Sequence, residues 1–356
     1  MQASLLLDRL VELDTFDLHY MARNIDPAFR AAGYTLHRIP ARRAIGGSFI
    51  LDTPALWSML KRLNPAVIYQ RVASTYTGIA AAYARRHGSR MVWHISSDRD
   101  LVPLPWSRTW HSPLRQLNRN FVFYGARHAD VVVVQNREQA ALLRRWHNRD
   151  DTVLIPNFHL PPTGDAHPGK PQAPSTVCWI GNIKPLKQLE VFLQLAAALR
   201  GRPDVEFVVV GAPQLRQREW DELLGKMRAL PNVKYLGAQP RAAVETLLAR
   251  AHILVNTSTA EGFANTFIES WMRDVAVLSL GVNPDGVFND RLYGMCAAGS
   301  YVALLDALKE LLDNPQLRRE MTARSAVFAR ERFGPQNIDR LIALLRPASD
   351  QRLLVH

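Results

Sequence analysis

Two glutamates, Glu261 and Glu269, stand eight positions apart around the small-residue turn Gly262-Phe263-Ala264-Asn265-Thr266. The run Ala251 to Asn256 before them is strand-like, and the run from Phe267 through Trp271 and Met272 has a helical period, so the pair belongs to a strand-loop-helix unit. At such a junction the first helical N–H groups lack partners and carry the positive end of the helix dipole, which favours a phosphate. Asn265 or Thr266 is placed to cap the helix. Eight helical residues rise by about 12 Å, so Glu261 before the helix and Glu269 inside it could hold hydroxyls at opposite ends of one diphosphate-centred ligand. A nucleotide sugar has that layout. Small residues let a ligand approach the main chain, which makes the amides of Gly262, Phe263 and Ala264 further candidate contacts. Lys187 follows a strand and a Gly181-containing loop and suits a phosphate, the plainer reading being a surface lysine. His94 ends the strand-like run Met91 to His94, and the carboxyl ends of strands are where open α/β sheets bind ligands. A histidine satisfied within the core is the alternative there.

These residues need elements to position them. Strand-like runs alternate with helical ones: Phe16 to Tyr20, Ala66 to Tyr69, Met91 to His94, Val131 to Gln135, Val177 to Ile180, Val205 to Gly211 and Ile253 to Asn256. Such alternation predicts parallel sheets covered by helices on both faces. A stretch rich in Pro, Gly and Ala interrupts the series and reads as a linker over residues 156–175. The expected organisation is an N-terminal domain over 1–155 and a C-terminal domain over 176–356, whose last helix can return to the first domain. Helical periodicity over Val302 to Leu312 and Leu317 to Arg332 calls only for structural roles.

A chain of 356 residues with 47% hydrophobic and 21% charged residues is ordinary globular material, long enough for two domains. Cys178 and Cys296 are too few for a disulfide framework or a four-thiolate zinc site, which fits a reducing cytoplasm. No run approaches the ~20 apolar residues of a membrane span. Net charge is +12, and residues 1–151 hold most of it, with 21 Lys and Arg against 12 Asp and Glu. An anionic membrane, an acidic acceptor, nucleic acid or simply solvated faces would all suit that excess. Trp106, Arg108, Trp110, Arg115 and Arg119 make the segment 103–121 basic and aromatic, which suits a membrane interface or a half-buried helix better than nucleic acid. Dinucleotide, P-loop, zinc-protease and hydrolase-elbow signatures are missing from the sequence. Asp98-Arg99-Asp100 spells D-x-D without the surroundings of a metal-dependent transferase, so no metal or cofactor is expected.

The E-x7-E spacing after a strand, with Trp179-Ile180-Gly181-Asn182-Ile183-Lys184-Pro185-Leu186-Lys187, Val233 to Gly237 and Ala129 to Asn136, resembles the retaining glycosyltransferases of family 4. The resemblance extends over nearly the whole chain. It implies the GT-B fold, two doubly wound Rossmann-like α/β domains facing a cleft. It also implies transfer of a sugar from a UDP- or GDP-sugar to a glycan or lipid-linked acceptor, with retention, in cell-surface polysaccharide assembly at the inner face of the membrane. By the same resemblance Lys187 holds the donor diphosphate, Glu261 orients the donor sugar, Glu269 binds the ribose and His94 lies beside the sugar. Gly181, Asn182, Gly262, Phe263, Ala264, Asn265 and Thr266 complete the expected donor site. Asn182 stands where the family has an arginine, and Asp274 and Ala276 stand where Gly and Pro are common. Those departures keep open a binding or scaffold subunit, and a nucleotide-sugar epimerase would use the same donor site. The family also opens on a hydrophobic strand and a Gly-rich loop, whereas here the helical pattern Leu5, Leu6, Leu10, Val11, Leu13 begins almost at Met1. The expectation is that roughly 20 residues of strand and loop belong before it.

Overall fold

Every strand pairing in the computed structural model, which describes residues 2–25, 29–40, 49–103, 113–161, 170–171 and 173–346, is parallel. Parallel neighbours cannot be joined by tight hairpins, so each step requires a crossover, and the helices supply it. The chain divides into two compact units, one of residues 1–158 with 335–356 and one of residues 159–334.

The first unit holds a two-stranded ladder, β1 (His19–Ala22) with β2 (Thr35–Arg38). Beside it in sequence runs a four-stranded sheet in simple order, β3 (Val67–Arg71), β4 (Arg90–His94), β5 (Val131–Val134) and β6 (Thr152–Leu154). Its helices are α1 (Gln2–Leu13), α2 (Thr53–Leu63), α3 (Thr75–His87), α4 (Pro113–His128), α5 (Arg137–His147) and α12 (Gln336–Leu345). Local signals set their ends. Ser74 opens α3 with a capping box and Gly88, at φ 74°, closes it in the left-handed conformation that glycine tolerates. Asn136 accepts from the Gln139 amide to open α5.

Alternation along the strands sends side chains to two different cores. Met91, Trp93, Val132 and Val134 face Ala80, Ala84, Val122 and Leu143 on one side. Val92 and Val133 face Leu5, Leu6, Leu10, Leu341 and Ile342 on the other. The first expected strand is displaced, because the ladder begins at His19 rather than Phe16. Phe16 and Leu18 instead pack against the core under α1 and α12. Their apolar spacing is real, but hydrogen-bonded pairing starts only where β2 runs alongside.

In the second unit the strands are β7 (Ser175–Ile180), β8 (Val205–Val210), β9 (Val233–Tyr235), β10 (Ile253–Asn256), β11 (Ala276–Ser279) and β12 (Met295–Cys296), in the order β12-β11-β10-β7-β8-β9. The helices are α6 (Leu189–Ala198), α7 (Gln217–Arg228), α8 (Arg241–Arg250), α9 (Asn265–Trp271), α10 (Tyr301–Asp313) and α11 (Pro315–Phe333). From β7 the chain steps outward to β8 and β9, then returns to the opposite side of β7 as β10. The order therefore reverses between β7 and β10, and the loops leaving those two strands diverge around a crevice at their carboxyl ends, the usual ligand position in such sheets. One face of the sheet buries Phe192, Phe207, Leu304 and Leu308, and the other buries Phe267, Trp271, Phe288 and Phe333. No helix among the described residues is long and apolar enough to cross a membrane.

Candidate functional site

The two loops at the order reversal carry Lys187 and Glu261, and buried hydrogen bonds lock them together. Trp179 Nε1 donates to Thr257 Oγ1 at 2.9 Å, and Thr257 Oγ1 donates to the Lys187 carbonyl at 2.6 Å. The Thr259 amide donates to the Leu186 carbonyl at 2.9 Å. Held this way, Lys187 Nζ donates to Glu261 Oε1, and Ser258 Oγ donates to the same oxygen at 2.7 Å. Both charged side chains are 18% exposed, so the pair is reachable yet shielded enough for its attraction to be felt.

Glycine shapes the lysine loop. A Cβ on Gly211 would sit 1.8 Å from the Gly181 carbonyl oxygen, so only glycine allows the end of β8 to approach that loop. Gly181 lies under the lysine, and a Cβ there would meet Lys187 Cε at 3.8 Å. Asn182 is exposed.

Glu269 stands in the second turn of α9, which begins only at Asn265. Glu261 lies ahead of the helix, as expected, and is placed by Lys187 and Ser258, whereas the expected rise of eight helical residues between the glutamates is corrected, because the helix supplies only the part from Asn265. Burial raises the Glu269 carboxyl above its ordinary range, opposed by the charges of Arg241 and Arg273. Glu245 takes Arg241 at 2.7 Å and Arg273 at 3.5 Å, and Arg273 donates to the Glu269 carbonyl at 3.4 Å. The expected cap on α9 is also corrected, because neither Asn265 nor Thr266 caps it and Ala264 holds the N-cap position without a side-chain bond. The Asn265 side-chain oxygen instead accepts from His159 Nε2 at 3.2 Å. His159 is buried, which lowers its imidazole to about 4. The Phe263 ring is committed to the core against Phe333 and Trp271, and Gly262 and Ala264 are buried beside it. This turn offers main chain, and Thr266 is half-buried.

His94 belongs to the first unit and ends β4. Its Nδ1 accepts from the Tyr69 hydroxyl at 2.9 Å and from an Arg71 N–H at 3.3 Å, while a second Arg71 nitrogen donates to Asn157 Oδ1 at 3.1 Å. Two donors on Nδ1 place the ring proton on Nε2, which has no partner among the described residues. Burial, and then the Arg71 charge, hold the imidazole neutral to well below its usual range. Asp98 and Asp100 are drawn to separate neighbours: Gln139 donates to Asp98 at 2.9 Å, and Asp100 takes Ser96 Oγ at 3.5 Å, its carboxyl raised to about 6 by burial. Arg119 turns inward, donating to the Asp100 carbonyl at 3.2 Å and lying over the Phe123 ring. Trp106, Arg108 and Trp110 lie outside the described residues, as does the Arg115 side chain.

Sequence reasoning missed Ser258, His159, Tyr69, Arg71 and Asn157. A signal existed for Arg71, which ends β3 as His94 ends β4. His159 acts through a contact that no spacing encodes, and Ser258 through a loop contact with Glu261 that depends on the loop's conformation.

Residues 174–314 match the family model described as glycosyl transferases group 1, and residues 11–157 match the glycosyl transferase 4-like domain. The D-inositol 3-phosphate glycosyltransferase of Mycobacterium leprae is 27% identical over 241 residues, a match covering 62% of this chain and 55% of that protein. The chain thus spans about half the length of the curated relative. Among solved structures, Anabaena HepE in complex with UDP is similar at TM-score 0.67 and 18% identity, with 87% of this chain and 85% of that one covered. Sucrose-phosphate synthase from Thermosynechococcus elongatus is similar at TM-score 0.75 and 17% identity, over 94% and 89% of the two chains. At such identities the likeness is one of fold, the GT-B arrangement of two Rossmann-like domains.

Proposed function

The chain belongs to the glycosyl transferases of group 1, and from that premise we propose that it moves a sugar from a nucleotide-sugar donor to a hydroxyl acceptor. The observation that carries this reading is the Lys187, Glu261 and Ser258 cluster at the order reversal of the second unit, with Glu269 on the helix that follows.

In the proposed mechanism the donor diphosphate draws Lys187 away from Glu261. The lysine then neutralises the leaving group, where negative charge grows most as the glycosidic bond breaks. Glu261, still held by Ser258, turns its freed oxygen to the sugar hydroxyls. Glu269 accepts from the ribose, and the main chain of Gly181, Asn182 and Gly262 to Ala264 lines the donor, with Asn265 and Thr266 at the helix start. His94 offers its Nε2 proton as a neutral donor beside the sugar. The acceptor hydroxyl attacks from the leaving-group side and passes its proton to the departing phosphate oxygen, so configuration is retained without an enzyme nucleophile. Asn182 in place of an arginine leaves Lys187 as the cation of this loop nearest the glutamate.

The donor class proposed is a UDP- or GDP-sugar; HepE, a similar fold, was crystallised with UDP. A glycan or lipid-linked acceptor, used in surface polysaccharide assembly at an anionic membrane face, is consistent with the net charge of +12. Thermal stabilisation across UDP-, GDP- and ADP-sugars tests the donor reading, since a donor at 100 times its Kd adds about 2.7 kcal/mol. Stabilisation by none of them defeats the proposal. Stabilisation without turnover on any acceptor favours a binding subunit, the reading that Asn182 supports. NMR of the product anomer tests retention, and sedimentation with anionic vesicles at low salt tests membrane contact.

A further inference from the structure

A strained corner follows β3. Val72 has φ 69° and is 59% exposed. A β-branched residue in the left-handed region is an outlier, and such strain persists where the surrounding structure over-determines it, commonly at ligand sites. The residue before it is Arg71, whose guanidinium is tied to His94 Nδ1 and Asn157 Oδ1 and faces the Tyr69 phenol.

All three neighbours are neutral. His94 accepts through Nδ1 and so carries a single ring proton, Asn157 is an amide, and burial raises the Tyr69 phenol so that it stays protonated. Among the described residues no Asp or Glu forms an ion pair with Arg71, although Arg23, Arg149 and other arginines of this unit have such partners. Asp100, whose carboxyl bonds the Ala73 backbone two residues after Arg71, feels the charge of Arg119 instead. A half-buried guanidinium is thus fixed by two hydrogen bonds and lacks a counter-charge. Taking a charge out of water is unfavourable unless an opposite charge meets it, and the planar fork of arginine matches phosphate and carboxylate. Arg71 also ends a parallel strand on the side of the sheet where ligands bind.

We infer that Arg71, positioned by His94 and Asn157, binds an oxyanion, the phosphate or carboxylate group of an anionic acceptor. Calling the ligand an acceptor rests on the glycosyltransferase reading, whereas the anion site does not. The His94 imidazole then serves two ligand groups at once: Nδ1 steadies the arginine, and Nε2–H remains for a second oxygen. An acceptor carrying phosphate or carboxylate is preferred over its neutral counterpart.

The test titrates inorganic phosphate into the full chain labelled with 15N-arginine, assigning the Arg71 Nε–H signal by its loss in Arg71→Met. A saturable shift of that signal, unchanged when a nucleoside diphosphate is already bound, is expected. No shift overturns the site, and displacement of phosphate by the nucleoside diphosphate assigns it to the donor and overturns the acceptor inference. In turnover, Arg71→Met should raise KM for phosphorylated acceptors by about tenfold or more while leaving donor KM unchanged. Arg71→Lys should recover part of that loss. An equal effect on neutral and anionic acceptors contradicts the inference. The phosphate titration needs no turnover and draws on Arg71→Met only to assign the signal, so it gives an answer even if Arg71→Lys folds poorly or the transferase reading fails.

Discussion

Lys187 is the residue on which the most chemistry converges, because one ammonium both pairs with Glu261 in the free protein and would meet a diphosphate. Lys187→Ala should lower kcat by about 10²-fold or more, the scale seen on losing one donor that stabilises transition-state charge. Single-turnover kinetics at saturating donor separates this from weaker binding, and wild-type kcat in the variant removes Lys187 from the mechanism. His159 gives a prediction with a definite sign. In the folded protein its imidazole takes up a proton only near pH 4, whereas the unfolded chain does so near the ordinary histidine value of about 6.5. Between those values the unfolded state binds more protons, so stability falls as pH drops. At about 1.4 kcal/mol per pH unit this approaches ~3 kcal/mol by pH 4. Urea unfolding from pH 4 to 7 should show a shallower acid decline in His159→Gln, and identical slopes count against the assignment. At this scale the sequence exposed the charged ends of the candidate site and concealed their supports. Glu261, Glu269, Lys187 and His94 are legible because strand ends and loop openings can be read from hydrophobic period. Arg71 and Asn157 matter through distances set by packing between distant segments, and Ser258 through a loop contact with Glu261 three residues on. Asn265 illustrates the limit: its position before a helix predicts a cap, yet its side chain serves His159, 106 residues away in sequence.

Elements with continuous apolar runs were read well, and short ones were not. β4, β5, β7, β8 and β10 are largely buried and therefore appear as near-continuous apolar segments. β2 and β6 are four and three residues long, with half-exposed or exposed positions that look like loop. The order reversal at β7 and β10 is also hidden in sequence, because strand neighbours come from crossovers. The approach of β8 to the loop after β7 depends on one glycine. Gly211→Ala should force the end of β8 away from the Gly181 carbonyl, lowering both melting temperature and donor affinity. Gly201→Ala is the control, since nothing lies within 4 Å of a Cβ there. Differential scanning fluorimetry with and without a nucleotide sugar reads both quantities, and equal behaviour of the two variants would show that the β8 approach does not shape the donor loop.

On the scale of the whole molecule, the first unit is discontinuous. Its core includes Ile338, Leu341, Ile342 and Leu345 from α12, packed with Leu5, Leu6 and Leu10 from α1. Arg9 meets Asp339 at 3.5 Å, and Arg340 donates to the Leu154 carbonyl at 3.0 Å. Removing residues from Pro335 onward should therefore melt the first unit selectively. Calorimetry should show one transition lost or lowered and the other, that of residues 159–334, little changed; equal shifts of both would contradict the division. The discontinuity also orders events on the ribosome. The second unit is contiguous and can complete its core as soon as its own residues emerge, whereas the first, although begun earlier, waits for a helix made last. At about 5–20 residues per second that delay is roughly 10–35 s. For that interval the apolar face of α1 has no α12 to cover it, so a nascent chain stalled before Pro335 is the form that trigger-type chaperones should hold longest.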